Sequence, residues 1–125
     1  MVMQLVPLDR FPLIDRSRMP QIDDKMYNDL FVFLGERGLN FSGRMIPPEL
    51  LHMHQEVDPD KARAIPELVL KIPVLISVDL FVIDGNHRVY RHYLDKTNVP
   101  CIKIEASFGR AIKDILEFPG TFELP

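Results

Sequence analysis

Asp84-Gly85-Asn86-His87-Arg88 is the stretch of this sequence whose residue types and order could do chemistry. It follows an apolar run at 78–83 and precedes a segment in which Val89, Tyr90, Tyr93 and Leu94 fall on one side of a helical wheel, so it should turn a strand into a helix. The first turn of a helix leaves backbone N–H groups without partners, and the helix dipole adds partial positive charge there. Glycine lets an anion approach that backbone closely. Arginine can fork onto two phosphate oxygens, and histidine can donate a hydrogen bond with or without charge, so the pair suits a polyphosphate better than a single carboxylate. Asp84 has three candidate duties: capping the helix, holding His87 or Arg88, or coordinating a Mg²⁺ ion that accompanies a nucleotide. The candidate phosphate-binding residues here are therefore Gly85, His87 and Arg88, with Asp84 and His87 as candidate catalytic groups and Asp84 as candidate metal ligand.

The surrounding elements must position that turn. Residues 2–6 read as a short strand stopped by Pro7, and 9–21 as an ordered loop. Asp23 or Asp24 can cap a helix whose Met26, Leu30, Phe33 and Leu34 share a buried face, with Gly35 or Gly38 ending it. The pattern weakens over 39–67, where 48–55 and 59–65 read as two short helices, each opening on proline. The apolar run 68–76 should hold a strand that begins near Pro73, because proline cannot donate to a ladder; 78–83 and 99–104 read as further strands. Phe108, Ala111, Ile112, Ile115 and Leu116 outline a last helix before Pro119. In the helix over 86–96, Arg88, Arg91, His92 and Asp95 form the polar side, which places His92 on the surface. Tyr90 and Tyr93 read as core. The expected fold is a small α+β domain, a short mixed sheet flanked by three to five helices.

With 125 residues, one domain over 1–125 is expected. A composition of 46% hydrophobic and 26% charged residues supplies enough apolar surface to oppose wholesale disorder. A formal net charge of -3 disfavours a protein devoted to nucleic-acid backbones. A lone cysteine, Cys101, cannot form an internal disulfide and reads as inert core; with no signal-peptide pattern, cytoplasm is the expected location. No run approaches the roughly 20 apolar residues that a membrane span needs. His52-Met53-His54 with Glu56 is a poor metal site, because helical positions two apart point about 200° from each other.

A strand leading into Asp84-Gly85-Asn86-His87-Arg88, then an amphipathic helix and the Val99-Pro100 strand, resembles the signature of the ParB/sulfiredoxin superfamily. Lys71-Ile72-Pro73-Val74-Leu75-Ile76 is similar to its proline-containing strand before the box, and Arg18-Met19-Pro20-Gln21 to its N-terminal arginine-proline segment. The resemblance covers roughly 1–38 and 70–105 and leaves 39–69 unmatched. It implies that Gly85, Asn86, His87 and Arg88 hold nucleotide phosphates, with Arg18 reaching the terminal phosphate. Asn86 stands where sulfiredoxins carry their catalytic cysteine, which excludes repair of oxidised cysteines. The chromosome-partitioning branch carries a Glu-Arg-Arg box and a following helix-turn-helix domain, neither of which is expected here. A branch that phosphorylates free amino acids implies a general base at Asp15 or Asp9.

The resulting expectation is a domain that binds ATP or another nucleoside triphosphate with Mg²⁺ and transfers or hydrolyses its terminal phosphate. Nuclease action on nucleic-acid phosphodiesters is the related alternative, disfavoured by the net charge. A non-catalytic sensing or partner-binding module, with 39–69 as the protein-binding surface, is the alternative from another class; small domains of this kind would suit a phage or mobile element. On this reading His87→Ala and Arg88→Ala each weaken nucleotide binding and leave the melting temperature nearly unchanged.

Overall fold

The apolar runs around Ile76 and Cys101 do form strands. A computed structural model, which describes residues 24–53 and 57–119, sets four strands in one mixed sheet. These are β1 (Phe41–Ile46), β2 (Val74–Ser77), β3 (Val82–Asp84) and β4 (Val99–Ile104), in the spatial order β1-β4-β2-β3. β4 runs parallel to β2 and antiparallel to β1, while β3 runs antiparallel to β2. Five α-helices accompany the sheet among the described residues: α1 (Tyr27–Glu36), α2 (Pro59–Arg63), α3 (Glu67–Leu70), α4 (Asn86–Asp95) and α5 (Phe108–Leu116). The fold is small, α+β and built on a mixed sheet, as the sequence implies. No helix among the described residues is long and apolar enough to cross a membrane.

Alternation along the strands divides the apolar side chains between two faces. Val74 and Ile76 of β2 join Val82, Val99 and Cys101 on one face, beneath Val89 and Tyr90 of α4, Ala62 of α2, and Leu51, Met53 and Val57. Leu75, Ile83 and Ile104 point the other way, against Tyr27, Leu30 and Leu34 of α1 and Ala111 and Ile115 of α5. Every residue of β2 is buried, so Val74, Leu75 and Ile76 read as an apolar run rather than an alternation, ended by the polar Ser77. Each fully buried Leu, Ile or Val contributes about 1.5–3 kcal/mol.

The helix ends follow from local chemistry. Gly38, at φ +79°, closes α1: its N–H donates to the Gly35 carbonyl at 3.0 Å and the Leu39 N–H to the Leu34 carbonyl at 3.0 Å. Lys96, at φ +57°, ends α4 in the same manner, with the Thr97 N–H donating to the His92 carbonyl at 3.0 Å. The Asp58 carboxylate accepts from the Asp60 N–H at 3.0 Å and caps α2.

The structure departs from the sequence reading in three places and agrees with it in a fourth. β1 lies within the weak stretch; it is an edge strand with four of its six residues exposed, which leaves little hydrophobic pattern to read. Within 48–55 the described helical content is a 3-10 turn at Pro48–Leu50. The strand expected to begin near Pro73 does so, as β2 starts at Val74 and residues 68–70 before it belong to α3. Residues 78–80 turn the chain, with Leu80 at φ +67° and the Ser77 hydroxyl accepting from the Phe81 N–H at 3.2 Å; Phe81 bridges to His52 and β3 begins at Val82.

His92, expected on the surface, is 8% exposed. Its Nε2 lies 3.3 Å from the Leu70 carbonyl and its Nδ1 2.8 Å from the Thr97 hydroxyl oxygen. A carbonyl only accepts, so Nε2 carries the proton and the hydroxyl donates to Nδ1. Burial holds the imidazole below its ordinary pKa, with the Leu70 carbonyl opposing the shift. Because the unfolded chain binds that proton more readily, this contribution to stability is complete above the unfolded value near 6.5 and declines as the pH drops through it. Urea midpoints between pH 7.5 and 5 should therefore fall more steeply for the wild type than for His92→Gln, and equal slopes would refute the assignment.

Candidate functional site

The five residues singled out in the sequence are consecutive, and the fold sets them at the C-terminal end of β3 and the start of α4. Asp84 is the last residue of β3, Gly85 precedes α4 at φ +110° and ψ 28°, and Asn86 is the first helical residue. A β-carbon on Gly85 would lie 2.6 Å from Val74 Cγ1 and 3.0 Å from Arg88 Nη2, so both torsion and space require glycine. α4 has ten residues, and its first turn contains no acidic side chain. A negative group near that turn is therefore favoured by the helix dipole.

The side chains face a direction the sequence does not reveal. Arg88 turns inward: Nη1 donates to the Ile72 carbonyl at 2.9 Å and the Pro73 carbonyl at 3.2 Å, and Nη2 to Asp84 Oδ2 at 3.4 Å. Its side chain is 13% exposed and that of Asp84 24%. The same Asp84 oxygen accepts from the Tyr27 hydroxyl at 2.5 Å. Burial raises the Tyr27 pKa well above the ordinary phenol value, and the neighbouring Asp84 charge raises it further. Asn86 is buried. His87 is half-buried, and its Nε2 accepts from the Asp58 N–H at 3.3 Å.

These contacts belong to a wider pattern. Arg91 Nη1 donates to the Arg63 and Ile65 carbonyls at 3.0 and 2.9 Å, satisfying the C-terminal end of α2, while its Nε pairs with Asp95 at 2.9 Å. His92 does the same for the Leu70 carbonyl at the end of α3. His87, Arg88, Arg91 and His92 thus meet main-chain groups of Asp58, Ile72 and Pro73, Arg63 and Ile65, and Leu70. The polar side of α4 serves the backbone of 58–73. Further along the helix, an open depression of about 310 Å³ is lined by Arg63, Arg91, Leu94 and Asp95.

Arg18, Asp15 and Asp9 lie outside the described residues, as do His54 and Glu56. Among the described residues no group of three or more His, Cys, Asp and Glu side chains could hold a metal ion. The contacts of Asp84 fall on Oδ2, which accepts from Tyr27 and faces the Arg88 guanidinium, a positive charge that would oppose a divalent cation at that oxygen. Cys101 is buried, and burial pushes its thiol up to about 12, in keeping with inert core. Tyr27 is the site residue that sequence reasoning missed. Its burial was available, since it stands three and seven residues before Leu30 and Leu34, but nothing local links it to Asp84, 57 positions away. No protein-family model, no curated protein and no solved structure matches the chain.

Proposed function

We propose that the β3–α4 turn is a phosphate-holding loop and that the protein binds a nucleotide, or another polyphosphate, through it. The observation that carries this reading is the left-handed Gly85 between the end of a strand and an α4 first turn free of acidic side chains. In this proposal the main-chain amides of the turn, with Asn86 and His87, take the phosphates. Arg88 acts from behind, as the tie that fixes the turn to Ile72 and Pro73. Any Mg²⁺ arrives on the phosphates of the nucleotide and needs no ligand from Asp84.

Binding without turnover is the form of the proposal that this geometry supports best. Phosphoryl transfer asks for positive charge at the migrating group, and the guanidinium of the turn is committed to two carbonyls and a carboxylate. Calorimetry with ATP, CTP and ADP, with and without Mg²⁺, should show saturable binding that weakens about tenfold in His87→Ala, roughly the worth of one charge-assisted hydrogen bond. The melting temperature should fall only slightly, since the Asp58 N–H contact is long. Wild-type protein that binds none of the three refutes the proposal; phosphate release that accompanies binding would restore the phosphotransferase reading.

A further inference from the structure

We propose that Tyr27 is a positioning residue for the Gly85 turn, acting from α1 through the Asp84 carboxylate; the functional weight of this inference rests on the turn being the phosphate loop. Tyr27 is 7% exposed and belongs to the core on the face of the sheet opposite α4. Its hydroxyl nevertheless reaches Asp84 Oδ2 at 2.5 Å, a short bond from a phenol to a carboxylate and stronger than one between neutral groups. Asp84 directly precedes Gly85, so fixing its side chain restricts the peptide that enters the left-handed residue.

The same oxygen meets Arg88, one helical turn onward, at the longer distance of 3.4 Å. Arg88 in turn is held by the Ile72 and Pro73 carbonyls in the approach to β2. The turn is therefore pinned between α1 on one side of the sheet and residues 72–73 beside it, and Asp84 is the shared point. Among the described residues, removal of the phenol hydroxyl leaves that carboxylate with the weaker of its two contacts.

Tyr27→Phe removes one oxygen while retaining the ring, which lies 5.9 Å from that of Phe31, so the full-length variant should keep its fold. In ligand-free protein, the backbone amide resonances of Gly85, Asn86 and His87 should shift, whereas those of Leu30 and Leu34 should stay in place. Pyrophosphate affinity, measured by calorimetry, should fall about fivefold. In an Asp84→Ala background Tyr27→Phe should produce no further displacement of the turn resonances, because the route through the carboxylate is already cut. Unmoved turn amides, or equal shifts with and without Asp84, would overturn the positioning role whatever the ligand does. Wild-type protein that does not bind pyrophosphate would instead count against the phosphate loop, and the ligand-free resonances would still decide for or against Tyr27. Should Tyr27→Phe fail to fold, Asp84→Asn, which keeps an acceptor for the phenol, must leave the turn amides closer to wild type than Asp84→Ala does.

Discussion

Gly85→Ala should lower the unfolding free energy by about 3–5 kcal/mol, read as a shift of the urea midpoint at unchanged slope. Two costs combine. The φ of +110° lies outside the conformations an alanine adopts without strain, which accounts for about 1–3 kcal/mol. The added β-carbon would also stand 2.6 Å from Val74 Cγ1 and 3.0 Å from Val74 Cβ. Val74 cannot retreat easily, because it is fully buried and its strand position is fixed opposite Cys101 of β4. Against a typical total of about 5–15 kcal/mol, such a loss brings the domain close to unfolding. Val74→Ala in the same background should relieve the Cγ1 clash but leave the 3.0 Å approach to Cβ and the torsional part, so recovery is partial. A Gly85→Ala protein within about 0.5 kcal/mol of wild type would mean that the turn is not left-handed, and the proposed phosphate loop would lose its basis.

Much of this architecture was legible because hydrophobic order reports burial directly. Val89, Tyr90, Tyr93 and Leu94 mark the inner face of α4, and 99–104 is a strand as its apolar residues suggest. The direction of the polar residues was not legible. A helical wheel separates apolar from polar and equates polar with outward, yet His87, Arg88, Arg91 and His92 face inward onto the main chain of 58–73. Arg88, Arg91 and His92 are polar because α2, α3 and the approach to β2 end beside them and bring orphan carbonyls that need donors, whereas His87 accepts from the Asp58 N–H where α2 begins. The segment that supplies those carbonyls is also the one whose pattern is weakest, since α2 has five residues and α3 four. Short helices bury too few side chains to leave a period, and β1 is too exposed to leave one. Tyr27 shows the same limit for the site: its place on the buried face of α1 follows from spacing, but its bond to Asp84 depends on how the layers stack.

Arg88→Met should cost about 2–3 kcal/mol of stability, in contrast to the nearly unchanged melting temperature that a solvent-facing phosphate fork would give. Methionine retains an unbranched apolar stem of similar length, so the substitution isolates the guanidinium. Its loss strands the Ile72 and Pro73 carbonyls and leaves Asp84 with Tyr27 as its remaining partner among the described residues. Breaking a fully buried ion pair costs about 3–5 kcal/mol, but the 13% and 24% exposure of the two side chains lets water screen part of the unpaired charge, which sets the lower figure. Asp84→Asn together with Arg88→Met should therefore be less damaging than the sum of the single changes, because the charge that Arg88 balances is gone. Arg88→Lys should recover less than half of the loss, since an ammonium on a flexible stem cannot bridge two adjacent carbonyls and a carboxylate as a planar guanidinium does. Chemical denaturation of these variants, with Asp84→Asn alone, decides the matter without any ligand. If Arg88→Met denatures with the wild type while its nucleotide affinity collapses, the guanidinium faces the ligand after all, and the inward tie assigned to it is wrong.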